Sequence, residues 1–305
     1  MKKITLIFLL SVSSFAASCA SDKPAFLIKE SARDYEKLAL EHYNQADYQN
    51  AILFFKKALA EDRKVNNEQG ISSDLHNIAR CYVNFGLFSN AEKIIKEVLE
   101  INIHLENNTG IGDNYSLLAS IKIREKDYDK ALELLGKSLE LYKADKNNKG
   151  IANSMNNIST IHIKIGNYEE ALDNIESSIT IHKKIKNHAG LAAAYNNLGY
   201  LLELQKNEDD ALDYYLLALE EDKYIENSIG ISSDLHNIAG FYKKTGDFEK
   251  ALFYYKRALE VNRELAFLDR QKKDLQNMID ILGSMGRSEE KDAYENALKE
   301  LEGAE

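Results

Sequence analysis

Proline and cysteine are nearly absent from this chain, with one proline and two cysteines in 305 residues. The proline, Pro24, precedes everything periodic in the sequence, so nothing after it carries the residue that breaks helices. The cysteines, Cys19 and Cys81, are too few for a disulfide framework, and Cys81 falls on the apolar stripe of a predicted helix as a small buried hydrophobe. Metal-ligand spacing is missing as well: seven histidines are scattered, with neither HExxH nor CxxC. There is no GxSxG and no phosphate-binding GKS or GKT. Gly110-Ile111-Gly112 is a fragment of a dinucleotide fingerprint, but no strand precedes it. Together these absences point away from an enzyme, a metal protein or a cofactor-dependent protein.

Positive charge is also short, with 39 Lys and Arg against 49 Asp and Glu for a net charge of −10. Such a surface repels phosphate backbones and anionic lipid heads, so nucleic acid is not an expected partner. The only long apolar run is Ile4 to Val12, below the length of a membrane helix. It follows Met1-Lys2-Lys3 and precedes Ser13-Ser14-Phe15-Ala16-Ala17-Ser18, the order of a secretory signal peptide over residues 1–18. Ala16-Ala17-Ser18-Cys19 resembles a bacterial lipobox, although that family favours leucine where Ala16 stands. The resemblance implies lipidation of Cys19, a short tether over residues 19–31, and a lipid-anchored place in the bacterial cell envelope. Membrane contact would then run through the N-terminal lipid only. The alternative is ordinary cleavage near Ser18, giving a soluble periplasmic or secreted protein. Loss of Lys2 and Lys3 with the leader leaves 37 positive residues against 49 negative, a net charge of −12.

What the chain does contain is a period of forty. Gly70, Gly110, Gly150, Gly190 and Gly230 fall in step, each three residues after an asparagine: Asn67, Asn107, Asn147, Asn187 and Asn227. Ala51, Ala91, Ala131, Ala171, Ala211 and Ala251 keep the same interval. Self-similarity at this spacing marks a solenoid, whose units are too small to hold a core alone and stack on their neighbours. Within one unit, Ile151, Met155, Ile158, Ile161, His162 and Ile165 follow the spacing of one helix face. Gly166 ends that helix. Asn167 is placed to cap the next one, with Glu170 three residues on as a capping box requires. Ala171, Leu172, Ile175, Ser178 and Ile179 then carry a second apolar stripe, so each unit is a helical hairpin.

These residues resemble the tetratricopeptide repeat family. The family's small residue in the first helix matches Ala39, Ala79, Ala119, Ser159, Gly199 and Ala239, and the one opening the second helix matches the alanine series above. Its large residue matches Phe55, Ile95, Leu135, Ile175, Tyr215 and Tyr255, and its second small position Ala58, Val98, Ser138, Ser178, Ala218 and Ala258. The resemblance implies an all-α, right-handed superhelical solenoid of about seven hairpins over residues 32–302, with 303–305 as a tail. The usual period is thirty-four with a proline, so a period of forty leaves room for a second helix about a turn and a half longer. This long form is similar to the repeats of kinesin light chains and of Pins-type spindle-orientation proteins. The last unit has Ile279 and Lys291 at the small positions and a polar second helix from Ser288 to Glu302, as a capping repeat should.

In the family the first helices line a concave groove. The position expected to point into it holds Asn77, Asn157, Asn197, Asn237 and Asn277, with Lys37 and Leu117 interrupting the series. Asparagine can pair with both the N–H and the C=O of an extended peptide, so the row reads as a backbone clamp; the alternative is that these amides cap helices or bridge repeats. Beside the row stand His76, Arg80, Ser116, Ser120, Arg124, Asn156, Thr160, Lys164, Asn196, Tyr200, His236 and Lys244, several of them basic in an acidic protein. The lysine and arginine that heat-shock co-chaperones of this family use are absent: Asp113 and Leu117, or Asn153 and Asn157, occupy their places. Ser72 to Ala79 recurs unchanged as Ser232 to Ala239, the mark of a four-unit duplication. The expectation is a non-enzymatic scaffold or adaptor, exported and membrane-anchored, that binds an extended segment of a protein or peptide partner. The rival is a receptor-like sensor of a peptide or glycan. The residues leave the oligomeric state open.

Overall fold

The structure is a computed structural model and describes residues 24–303. Among the described residues there are fourteen helices and no strand, paired as seven antiparallel hairpins. Helix α1 spans Ala25–Asn44 and α2 Tyr48–Lys64, followed by α3 Glu68–Asn84, α4 Phe88–His104, α5 Asn108–Arg124, α6 Tyr128–Ala144 and α7 Asn148–Ile165. Then come α8 Tyr168–Ile185, α9 His188–Leu204, α10 Glu208–Tyr224, α11 Ser228–Thr245, α12 Phe248–Glu264, α13 Leu268–Ser284 and α14 Ser288–Gly303. The first helix begins at Ala25, ahead of the expected repeat boundary at Ala32, because Pro24 serves as its N-cap with a fixed φ of −51°. The leader and Cys19 lie outside the described residues.

The forty-residue period divides evenly. Both helices of a typical unit are 17 residues long, as in α3 and α4, so the extra length over the usual repeat is not confined to the second helix as the sequence suggested. Each of the thirteen turns places one residue in the left-handed region. These residues recur every twenty positions, from Ala46 and Asn66 through Glu106, Lys126 and Lys186 to Ala266 and Gly286. At Gly86 the turn is a Schellman motif: Leu87 N–H bonds the Tyr82 carbonyl at 2.9 Å and Gly86 N–H bonds Val83 at 3.1 Å. Only four of the thirteen are glycines, so nine turns hold a side chain where glycine would be easier.

The small-residue columns behave as the repeat pattern requires. Ala51, Ala91, Ala131, Ala171, Ala211 and Ala251 are fully buried, and Phe55, Ile95, Leu135, Ile175, Tyr215 and Tyr255 fill the space beside them. The clusters they build cross repeat boundaries; one joins Ala171 and Ile175 of α8 with Leu191 and Leu198 of α9 and Ala218 of α10. In the last hairpin α14 buries no residue completely, which suits a helix with nothing stacked beyond it.

Curvature follows from which helices touch. First helices contact the first helix of the next unit (α3 with α5, α5 with α7, α7 with α9, α9 with α11), whereas second helices make no comparable contact with one another. The odd-numbered helices therefore line the shorter, inner arc. Enough curvature accumulates to bring the ends together: Tyr48 and Phe85 from the first two units line one cavity with Phe267, Leu268 and Arg270 from the last. The end of α1 (Glu41, Asn44) likewise faces the α10–α11 turn (Ile225, Asn227).

Candidate functional site

The inner wall is built from the exposed and half-exposed edges of α3, α5, α7, α9, α11 and α13. A cavity of about 350 Å³ between α7 and α9 is lined by Lys149, Asn153, Asn156, Asn157 and Ala193. It continues through Lys149 and Asn153 into one of about 500 Å³ beside α3 and α5, lined by His76, Asn77, Arg80 and Asp113 among others. These spaces form a polar groove along the inside of the superhelix, of a size that suits a chain segment.

Most of the asparagine row is engaged within the protein. Asn197 Nδ2 donates to Asn156 Oδ1 and Thr160 Oγ1, both at 2.9 Å, and Asn237 Nδ2 donates to Asn196 Oδ1 at 3.0 Å. Asn77 is buried and accepts from Arg80 at 2.9 Å, and Asn277 accepts from Lys243 at 2.9 Å. The side chain of Asn157 alone of the row makes no hydrogen bond to another described residue, and it faces the groove. Asn197, Asn237 and Asn277 thus bridge inner helices, the second of the two alternatives the sequence left open, while Asn77 bonds within its own helix and keeps its donor.

The flanking residues divide in the same way. His76 Nδ1 lies 3.0 Å from Asn114 Oδ1, Asn196 donates to Asp234 Oδ1 at 2.5 Å, and His236 Nδ1 lies 2.5 Å from Asp274 Oδ1. All three contacts join one inner helix to the next. Arg124 donates to the Val83 carbonyl at 2.8 Å, and Lys244 is paired with Glu203 and stands 5.8 Å over the Tyr200 ring. Ser116 bonds Ser138 at 2.7 Å, Ser120 the Leu117 carbonyl, and Thr160 the Asn156 carbonyl. Lys164 is exposed at the end of α7.

The largest feature that sequence reasoning missed is a buried polar column at the same forty-residue interval: Asp62, Asn102, Tyr142, His182, Asp222 and Asn262, all near full burial. Each projects from a second helix onto the next inner helix and, in the first five units, covers the in-step glycine eight residues on. A Cβ on Gly110 would lie 2.6 Å from Asn102 Oδ1, and one on Gly150 2.5 Å from the Tyr142 ring. The glycines are therefore there for close approach, and their recurrence was the available signal. The asparagine before each glycine bonds the glycine N–H, the column residue, or both, and Asn107 and Asn187 do both. Asn107 accepts from Gly110 N–H at 3.0 Å while donating to Asn102 at 3.0 Å; Asn67 and Asn227 donate to Asp62 and Asp222, both at 2.8 Å, and make no cap. Asn167, expected to cap α8, makes no side-chain cap either; that role falls elsewhere to Asp47, Asp127 and Asp247.

Facing this column from the inner helices are Asp74 and Asp234, both buried with one carboxyl oxygen lacking a partner. Burial, reinforced by Asp62, pushes Asp74 up to about 8. Burial also pushes Asp234 up to about 8, against the Asn196 hydrogen bond and with help from the Asp222 charge. Asp222 is itself raised by burial, so at Asp74, Asp222 and Asp234 burial favours the protonated carboxyl. His182 is driven down to about 4 by burial and, secondarily, by Lys149, and burial lowers His76. Cys81 is fully buried, its thiol pushed up to about 12. No group of three or more His, Cys, Asp or Glu that could hold a metal occurs among the described residues, and none of their helices is long and apolar enough to cross a membrane.

Stacked helical hairpins with a continuous inner groove define an α-solenoid of the interaction-scaffold kind. The tetratricopeptide repeat pattern matches residues 111–184, 150–223 and 190–264, with a further match over 75–102. The chain belongs to the tetratricopeptide repeat family. A search of curated proteins finds no match. Among solved structures it is similar to a Rap protein complexed with Competence and Sporulation Factor, at 16% identity and a TM-score of 0.70, covering 93% of this chain and 77% of that one. It is also similar to aspartyl phosphate phosphatase F from Bacillus subtilis, at 15% identity and a TM-score of 0.65 over 91% of this chain and 72% of that one. BtubC from P. vanneervenii matches at 21% identity and a TM-score of 0.55 over 72% of this chain and 92% of that one. At these identities the likeness is one of fold.

Proposed function

We propose that this protein is a scaffold that holds an extended peptide segment of a partner protein in its inner groove, at the bacterial cell envelope, where a lipid on Cys19 would tether it. The observation that carries the binding reading is Asn157, a groove-facing amide with no partner of its own beside the bridged amides of Asn197 and Asn237. A free amide offers both a donor and an acceptor to a peptide backbone. The similar Rap fold is seen complexed with another molecule, which supports a holding role for this architecture. The anchor reading rests on the leader and the residues Ala16 to Cys19.

Photo-crosslinking from position 153 or 157 in native envelopes, followed by sequencing of the captured material, tests the groove. A continuous peptide segment captured there, and not from Glu140 on the outer helix α6, is the expected result. Equal capture from both faces would overturn the reading.

A further inference from the structure

A solenoid keeps itself soluble by turning a polar face outward at each end, where no further repeat stacks. The C-terminal end of this one obeys the rule: α14 carries six acidic and two basic residues and buries none completely. The N-terminal end does not. Helix α1 exposes Phe26, Leu27, Leu38 and Leu40, and no other described helix exposes more than two large hydrophobic residues. Leu38 is 39% exposed, whereas Ile78, at the same place in the next unit, is 2% exposed in one cluster with Phe55 and Leu59 of α2.

Phe26 and Leu27 also stand on a turn that has no counterpart elsewhere. Helix α1 starts three residues ahead of the place where every other first helix begins. The added residues are Ala25, Phe26 and Leu27, all exposed, with Phe26 at 67%. This apolar turn is not spent on the core. Charge singles out the same end. Residues 24–64 carry seven basic and seven acidic side chains, whereas 65–305 carry 29 basic and 41 acidic. The first hairpin is therefore the part of an acidic protein that anionic lipid heads repel least. Lys29, Arg33 and Lys37 follow Phe26 at helical spacing, are exposed, and form no ion pair with any described residue. Basic side chains beside exposed apolar ones suit a helix at a lipid interface, where the long stems lie along the apolar layer and the charges stay wet. Cys19 lies seven residues before Phe26, a reach of about 25 Å at most.

We propose that the exposed side of α1 rests on a lipid bilayer, with Phe26 and Leu27 entering the acyl region and Lys29, Arg33 and Lys37 at the headgroups. The proposal rests on the anchor reading and adds a second contact to it. A lipid alone lets the body swing on its tether; a docked turn fixes the first hairpin at the surface.

The chain contains no tryptophan, so Phe26→Trp supplies a single probe, with Phe253→Trp on α12 as a similarly exposed control. Cys81 is fully buried, which leaves Cys19 for selective attachment. The chain from Cys19 to Glu305, which keeps every described helix, is coupled through Cys19 to a maleimide lipid in vesicles of phosphatidylcholine and phosphatidylglycerol. The probe at position 26 should shift to shorter wavelength and be quenched by lipids brominated on their acyl chains. The probe at position 253 should do neither. With one synthetic acyl chain on Cys19, whose hold is weak and reversible, Phe26→Gln combined with Leu27→Gln should weaken partitioning into the same vesicles about tenfold. Unchanged emission at position 26, equal quenching at both positions, or undiminished partitioning of the double variant overturns the proposal. A shift that needs no lipid and grows with protein concentration would assign the face to a second copy and overturn it too. Attachment here is chemical, so these results are independent of whether cells lipidate Cys19, which acyl-chain labelling decides.

Discussion

The carboxyl of Asp222 on α10 lies directly over the bare Cα of Gly230 on α11, so that a methyl group at Gly230 would overlap Asp222 Oδ2. The two residues interlock neighbouring repeats. Asp222 cannot yield easily, since it is 4% exposed, bonded by Asn227 and set against Asp234.

Gly230→Ala should therefore lower stability by about 1–3 kcal/mol through overpacking, despite alanine's better helix propensity. Gly136 sits in α6 with open space around it, and Gly136→Ala should raise stability by up to about 1 kcal/mol. Urea unfolding of both variants checks the pair; losses of similar size at the two sites would contradict the interlock.

The buried acids predict an unusual pH dependence. Asp74 and Asp234 have folded pKa values raised to about 8 from 3.8, so the folded state holds protons that the unfolded state has released between those limits. Their contribution is fully present below about pH 4, is lost as pH rises to about 8, and changes no further above that. Each should give a slope on the order of 1 kcal/mol per pH unit. Asp74→Asn with Asp234→Asn copies the solution of Asn114 at the same position and should flatten the slope. Melting temperatures from pH 5 to 9 measure it, and a slope that persists in the double variant would exclude these acids as its source.

Nine turns carry a side chain at positive φ, and these are sites for stabilisation. Lys126 is exposed at φ 64°, and Lys126→Gly should relieve about 1–2 kcal/mol of local cost, offset by the greater freedom of glycine when unfolded. A net gain of about 0.5–1 kcal/mol is expected. Gly166→Ala, at φ 84° in the equivalent place, should lose about 1 kcal/mol. Calorimetry on the two variants should show melting shifts of opposite sign.

Amides in the groove should separate by role. Asn157→Ala should weaken peptide capture and leave the melting temperature the same or higher, since alanine is the better helix former. Asn197→Ala breaks hydrogen bonds to Asn156 and Thr160 and should cost about 0.5–1.5 kcal/mol of stability for each lost bond. A destabilised Asn157→Ala variant would show that this amide also supports the fold.

Membrane attachment is tested at Cys19. Cys19→Ala should shift the protein from the membrane fraction to the soluble fraction and abolish acyl-chain labelling. Stable retention requires more than one acyl chain, so labelling should be multiple. Parent protein that takes up no labelled fatty acid would rule out the anchor.

The sequence by itself determined the hairpins, their register and the buried small residues. In a solenoid every contact is between near neighbours, so the spacing of Ala171, Ile175 and Ser178 already states what packs against what. The recurrence of Gly70, Gly110 and Gly150 was equally visible, but its cause was not, because the side chains that cover them come from the preceding helix and share no residue type: Asp62, Asn102 and Tyr142. Only the tertiary structure decided that Asn197 and Asn237 bridge inner helices while Asn157 stays free: the three hold the same place in their units, but Asn156 and Thr160 reach Asn197, whereas Ser116 and Ser120 before Asn157 bond elsewhere. It alone also brought Tyr48 and Phe85 opposite Phe267 and Arg270. That meeting depends on a small rotation repeated at every stacking interface, and a sum of small rotations is not written in any one repeat.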